Sequence, residues 1–196
     1  DGTDLVNGVG GYYFRINMGT ANPTPTATYI SVTNFSTAAS VTFVQVSPVT
    51  ANRVYFGLSD GSVGYVNSAN TATSPATGTI IKTGVGSVSG IAIDPANENH
   101  MLVTYSNYGV QSVFESTNAL NATPTWTNIE NNLPDMPVRW VIFYPGNTDR
   151  ALLATELGVW STDDLNGVST EWTPTNIGLA NTRVDMLKVR TSDNTI

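Results

Sequence analysis

The side chains that could do chemistry in this sequence are few, and the gaps decide a good deal. Cysteine is absent, which removes thiol nucleophiles, thiolate metal sites and disulfides together. His100 is the single histidine, so a histidine-based zinc site and a serine–histidine–aspartate relay both lack partners. No phosphate-cradling glycine loop, Asp-x-Asp-x-Asp calcium loop or dinucleotide fingerprint occurs, and no cofactor or metal is expected. What remains is 15 carboxylates against 8 cations, a net charge of −7. Two carboxyl groups roughly 5–9 Å apart across a cleft are the machinery of glycoside cleavage. Acids and arginines beside an exposed aromatic ring would instead hold a sugar or a protein surface. So few cations, nowhere clustered, match a phosphate backbone poorly, which argues against nucleic acid.

Which of these groups meet depends on the elements that carry them, and those elements repeat. Segments opening at Val41, Val88 and Val138 superimpose, and a fourth opens at Val184; the spacings are 47, 50 and 46 residues. That period is about the length of one propeller blade. Pro48, Pro95 and Pro145 each stand seven residues after the opening valine, and Arg53, His100 and Arg150 follow each proline by five. An apolar strand comes next, then a turn ending in Gly64, Gly109 or Gly158, then a strand bearing Tyr65, Phe114 or Trp160. Two units close on a strand around Trp126 or Trp172. Period-two alternation, β-branched residues and Gly/Pro/Asn turns predict four short strands per unit; in the second unit these are 88–94, 101–105, 110–116 and 125–129.

The expected fold is all-β: a β-propeller segment of four-stranded antiparallel blades, three of them full, with partial blades at both ends. One domain spans 1–196, with blades at 1–40 (partial), 41–87, 88–137, 138–183 and 184–196 (first strand only). In the first of these, 11–17 matches a third strand, 28–32 a fourth, and Asp4-Leu5-Val6 a remnant of the second. A single blade cannot bury both of its faces, so neighbours must stack. The ring is expected to close at four blades, through a homodimer, or within a larger parent chain. No run of 18 or more apolar residues occurs, so no membrane span is expected. Asp1-Gly2-Thr3-Asp4 is not a signal peptide, and the chain reads as a segment of something longer. A cysteine-free, Thr/Asn-rich, lysine-poor composition fits an extracellular protein, secreted or at the cell surface.

The hairpin Ser161-Thr162-Asp163-Asp164-Leu165-Asn166-Gly167, running on to Trp172, resembles a loosened Asp-box. That Ser-x-Asp-x-Gly-x-x-Trp hairpin marks BNR-repeat propellers. Ser116-Thr117-Asn118 leading to Trp126 is similar to it, and Asn132-Leu133-Pro134 and Ile177-Gly178-Leu179 look like the superfamily's blade linkers. Relatives with such blades include sialidases, xyloglucan-cleaving hydrolases, sortilin-like receptors and secreted bacterial proteins. The resemblance implies a structural Asp163 whose carboxylate satisfies turn amides, in a secreted bacterial member. It also implies a sialidase reading for Phe14-Arg15-Ile16-Asn17, similar to that family's Phe-Arg-Ile-Pro element, whose arginine clamps a substrate carboxylate. Asn17 departs from the proline of that pattern.

In the usual blade layout ligands bind at the channel mouth, where first strands begin and where second strands turn into third. The first-strand starts are Thr42-Phe43, Ser89-Gly90, Arg139-Trp140 and Asp185-Met186; the turns offer Asp60, Asn107-Tyr108 and Glu156. These positions vary while the scaffold positions repeat, and a repeated scaffold carries its specificity where it varies. The candidate ligand-binding residues are therefore Arg139, Trp140, Asp185, Asp60, Tyr108 and Glu156; no catalytic residue is assigned. His100 is expected at the surface, Asp94 as a turn carboxylate, and Trp126, Trp160 and Trp172 in the core. The function this predicts is a non-catalytic propeller scaffold or binding module of a secreted protein, recognising polysaccharide or a protein surface. The alternative is a fragment of a BNR-type glycoside hydrolase, sialidase- or xyloglucanase-like, carrying part of the substrate cleft.

Overall fold

Runs such as Val54–Leu58 and Met101–Tyr105 carry too little polar side chain to face water on either side, and every one of their residues is buried. The computed structural model, which describes residues 12–17, 26–178, 182–190 and 192–196, covers them by stacking sheets. Blade 1 consists of β3 (Val41–Val46), β4 (Val54–Leu58), β5 (Val63–Val66) and β6 (Ala76–Lys82). Blade 2 consists of β7 (Val88–Ile93), β8 (Met101–Tyr105), β9 (Val113–Ser116) and β10 (Thr127–Asn128). Blade 3 consists of β11 (Val138–Tyr144), β12 (Asn147–Thr155), β13 (Gly158–Thr162) and β14 (Thr173–Pro174). Within each blade the strands pair antiparallel in chain order. The chain is a segment of a β-propeller, as the repeat predicts.

Before these blades comes an antiparallel hairpin of β1 (Tyr12–Asn17) and β2 (Thr26–Thr33). Tyr13 and Ile30 on one of its faces pack against Phe56 of blade 1. It also extends blade 1's sheet, because Val32 and Thr33 pair in parallel with Ala76 and Thr77 of β6. Asp4, Leu5 and Val6, expected as a strand remnant, lie outside the described residues. At the other end Val184 N–H donates to Thr155 O at 2.9 Å, yet 182–189 carry no strand. A first strand is held by the second strand of its own blade, and no such partner is present here among the described residues.

Second strands set the interfaces by alternation. Tyr55 of β4 and Met101 and Val103 of β8 meet between blades 1 and 2, whereas Leu102 points the other way and joins Val138, Leu153 and Trp172 between blades 2 and 3. Two indoles tie outer strands together at the same repeat position. Trp126 Nε1 donates to Ile81 O at 2.8 Å and Trp172 Nε1 to Ile129 O at 2.7 Å, each reaching back one blade. Trp172 is buried in the core as expected, whereas Trp126 and Trp160 pack partly buried against it.

Two details of the repeat differ from the sequence alignment. The turn glycine of blade 1 is Gly61, at φ +87°, rather than Gly64, which lies inside β5. A β-carbon on Gly64 would stand 2.6 Å from the Phe35 ring, so glycine is what lets that ring lie against the strand. Pairing also sets Gly64, Phe114 and Trp160 in one register and Tyr65, Glu115 and Ser161 in the next. Tyr65 therefore occupies a different position from Phe114 and Trp160.

Candidate functional site

Each first strand slips register at its second residue, between Val41 and Phe43, Val88 and Gly90, and Val138 and Trp140. Such a bulge leaves one residue unpaired and re-aims its side chain. In blades 1 and 2 that residue bears a hydroxyl. Thr42 Oγ1 donates to Val88 O at 2.7 Å and Ser89 Oγ to Val138 O at 2.5 Å, each reaching the opening valine of the next blade. The facing turn position is also serine: Ser59 N–H donates to Ser40 O at 2.8 Å and Ser106 N–H to Ser87 O at 3.1 Å.

Blade 3 departs from this pattern at both places together. Arg139 occupies the bulge and Glu156 the turn, with Glu156 N–H on Pro137 O at 3.3 Å as the repeat requires. Arg139 Nε donates to Glu156 Oε1 at 2.7 Å and Nη2 reaches the same oxygen. Their side chains keep 28% and 21% of their exposure. A pair this open to water adds on the order of 0–1 kcal/mol, too little for stability to explain the replacement of two hydroxyls. Asp185 lies at the same end of the blade, because Val184 N–H donates to Thr155 O, and it accepts from Arg183 Nε at 2.6 Å. Three of the six candidates, Arg139, Glu156 and Asp185, are thus at one end of blade 3, two of them as an ion pair.

The other three do not join it. Trp140 turns into the body of the propeller, where its ring meets Phe43 edge-on at 4.9 Å across blade 2. Their repeat partner is Gly90, where a β-carbon would stand 2.6 Å from Thr104 Oγ1 and 3.1 Å from Val141 N. Asp60 accepts from Ser62 N–H at 3.0 Å and caps its own turn. Tyr108 is 66% exposed on the β8–β9 turn. Beside the first strands runs a cavity of about 630 Å³ whose walls include Gln45, Asp94, Trp140, Tyr144, Thr148 and Val189.

At the opposite end of the blades lie two buried polar clusters that no motif announces. Glu98 accepts from Ser47 Oγ, from Thr50 Oγ1 at 2.5 Å, from Tyr55 OH at 2.9 Å and from Arg53 Nη1 at 2.9 Å. Burial alone would raise its carboxyl pKa, but the Ser47, Thr50 and Tyr55 hydroxyls and the Arg53 charge bring it below the ordinary range. One interface further on, Asp94 accepts from Thr148 Oγ1 at 2.9 Å and faces His100 Nδ1 at 3.4 Å, while His100 Nε2 lies 2.9 Å from Glu115. Asp94 also accepts from Ala96 N–H at 2.8 Å, which matches its expected turn role. His100 is not the surface residue expected: its side chain is 12% exposed. Burial pulls its pKa down, the Glu115 and Asp94 carboxylates push it up, and the net shift is upward. A signal for these clusters exists in the repeat. Ser47 and Asp94 both precede the proline and Glu98 and Thr148 both follow it by three, so acid and hydroxyl exchange places between the two interfaces.

Arg15 donates from Nη1 to Ala72 O at 2.9 Å and Ala69 O at 3.3 Å, so its guanidinium is engaged with a blade 1 loop. Asp163 is 82% exposed and pairs with Arg150, whereas Thr162 Oγ1 takes the turn amide of Asp164 at 3.3 Å. In blade 2 the strand register aligns Asn118 with Asp164 rather than Asp163, and Asn118 accepts from Thr125 N–H at 2.8 Å to close its turn.

No family model and no curated protein matches the sequence. Solved structures do match the fold. A GH74 enzyme from Niastella koreensis superposes with a TM-score of 0.52 at 18% identity, covering 83% of this chain and 28% of that one. An ancestral GH74 enzyme does so with a TM-score of 0.51 at 20% identity, over 69% of this chain and 18% of its own. The β-propeller domain of Cps50 (Swd1) from Myceliophteria thermophila reaches 0.49 at 11% identity, over 68% and 38% of the two chains, too remote to argue from. The chain therefore spans less than a third of the GH74 proteins it matches, and what it shares with them at these identities is the fold.

Proposed function

We propose that this chain is a non-catalytic scaffold and binding module of a secreted propeller protein, engaging polysaccharide, or failing that a protein surface, at the channel mouth of blade 3. The observation that carries the reading is the paired exchange of hydroxyls for Arg139 and Glu156. A scaffold that works with serine and threonine in two blades gains nothing structural from an arginine and a glutamate in the third, whereas a bidentate guanidinium beside a carboxylate is well suited to vicinal hydroxyls. The test reverts the exchange. Arg139→Ser combined with Glu156→Ser reproduces the blade 1 and 2 pattern and is expected to shift Tm by no more than about 4 °C. In xyloglucan-containing gels the parent should be retarded and the double variant should not; equal retardation of the two would remove the site from this cluster.

A second reading is a part of a glycoside hydrolase cleft, and it is favoured by the hydrogen bond of Val184 N–H to Thr155 O, which sets the next residues, Asp185 and Glu156, at one end of blade 3. A pair of carboxylates is the raw material of acid–base glycoside cleavage. Reducing ends released from xyloglucan by the parent, and lost with Glu156→Gln or Asp185→Asn, would replace the binding reading with this one.

A further inference from the structure

Lys82, the last residue of β6, is 7% exposed and faces blade 2. Its Nζ stands 3.7 Å from the centre of the Phe114 ring, 5.5 Å from that of Tyr105 and 5.6 Å from that of Trp126. Its one polar contact is a long one, to Thr83 O at 3.4 Å, and among the described residues no carboxylate pairs with it. The scaffold does not require a lysine there. Trp126 and Trp172 make the same hydrogen bond one blade apart, to Ile81 and Ile129, so Lys82 and Glu130 hold equivalent positions. Glu130 accepts Ser112 N–H at 2.7 Å; Lys82 has no such task.

Beside the amine opens a pocket of about 400 Å³ whose walls include Ile80, Lys82, Thr83, Pro124 and Trp126. That volume falls among cavities that hold small organic ligands, roughly 300–1,000 Å³. We propose that Lys82 is a covalent capture site, whose amine condenses with a small apolar aldehyde to an imine housed in this pocket against Ile80, Pro124 and Trp126. The free amine's lone pair attacks the carbonyl carbon, and the C=O π pair moves to oxygen. One proton passes from nitrogen to oxygen to give the carbinolamine. Loss of water then forms C=N, carrying away the former carbonyl oxygen and both amine hydrogens, with no net oxidation or reduction. Ring faces attract the ammonium before capture, but taking a charge out of water is costly, and a neutral imine relieves that cost. Burial pushes the Lys82 pKa down to about 8, so free amine is available near neutrality.

The chain carries its own control, since Lys82 and Lys188 are its two lysines and Lys188 is exposed. The full chain is treated with benzaldehyde and cyanoborohydride at pH 7, and the alkylated sites are mapped by peptide mass spectrometry. Lys82 should be labelled roughly tenfold faster than Lys188, because an ordinary lysine holds far less free amine at this pH. Glyoxylate, charged and polar, should reverse the preference. Lys82→Met should remove the fast lysine label, leaving only the α-amine to react quickly, with the circular dichroism spectrum unchanged. Labelling of Lys188 at an equal or higher rate, across pH 6–9, would show that Lys82 is a sealed structural cation and overturn the proposal. Equal capture of glyoxylate at Lys82 would overturn the ligand class. Neither result touches the binding reading for blade 3, whose residues lie elsewhere.

Discussion

A buried carboxylate is tolerable only when donors surround it, and Glu98 shows how many this fold supplies: three hydroxyls and a guanidinium, all from blade 1. Glu98→Gln keeps the size, removes the charge and sets an amide N–H₂ against groups placed to donate. Its expected cost is about 3 kcal/mol, or a fall in Tm of about 6–12 °C for a chain of this length, read from thermal unfolding. Lys82 is the opposite case, a buried charge surrounded by rings rather than by counter-charge. The same low-polarity surroundings that make Glu98 a structural asset when satisfied make Lys82 reactive when unsatisfied. Trp140 shows that an aromatic at the channel mouth is not automatically a sugar platform. Its contact with Phe43 makes Trp140→Ala a core truncation, so a loss of binding by that variant would arrive with a loss of stability.

At the scale of elements the recurring device is the bulge at the start of each first strand. It lets a side chain that would lie along the strand reach a carbonyl of the next blade, so blade order is tied at the channel as well as at the rim. Thr42→Val removes the donor while keeping the branched shape and leaves Val88 O without its partner. The expected cost is about 1 kcal/mol, a Tm shift of roughly 2–4 °C. A calorimetric scan that shows no shift would mean water replaces the hydroxyl. The indole ties of Trp126 and Trp172 act at the outer strands in the same sense. They add an anchor on the neighbouring blade to the short own-blade ladders of Thr127–Asn128 and Thr173–Pro174.

For the whole molecule, the two polar clusters set how stability answers to pH. Glu98 and Asp94 have folded pKa values below their unfolded ones. Their contribution is complete above the ordinary carboxylate range, about 4, and is lost as pH falls through the folded values. His100 has a folded pKa above its unfolded one. Its contribution is complete below about 6.5 and is lost as pH rises through the folded value. Stability should therefore peak between about pH 4.5 and 6.5, with both limbs descending. In a series of thermal melts His100→Gln should flatten the alkaline limb and leave the Glu98 part of the acid limb in place, while the Asp94 part shrinks because His100 helps to hold that carboxyl pKa down. An unchanged alkaline limb would mean that His100 stays neutral between its two carboxylates.

The blade length, the strand count per blade and the turn positions were legible in the sequence, because strands in a stacked fold must repeat their apolar pattern at the period of the unit. The strands of unit two came out within a few residues of their expected bounds for that reason, with β9 starting later only because 107–112 form its turn. The lack of cysteine likewise removed thiol chemistry, and composition turned the expectation away from zinc and nucleic acid. The repeat also marked Arg139 and Glu156 as departures, though not as partners. What only the tertiary structure decided is everything that crosses between blades. Glu98 with Ser47, Asp94 with Thr148, Trp140 with Phe43 and Lys82 with Phe114 all join residues 30 or more positions apart. One-dimensional periodicity fixes which face of a strand a side chain takes, but not which side chain meets it there. That choice waits on the stacking of one blade upon the next, which is where this protein keeps its buried charges.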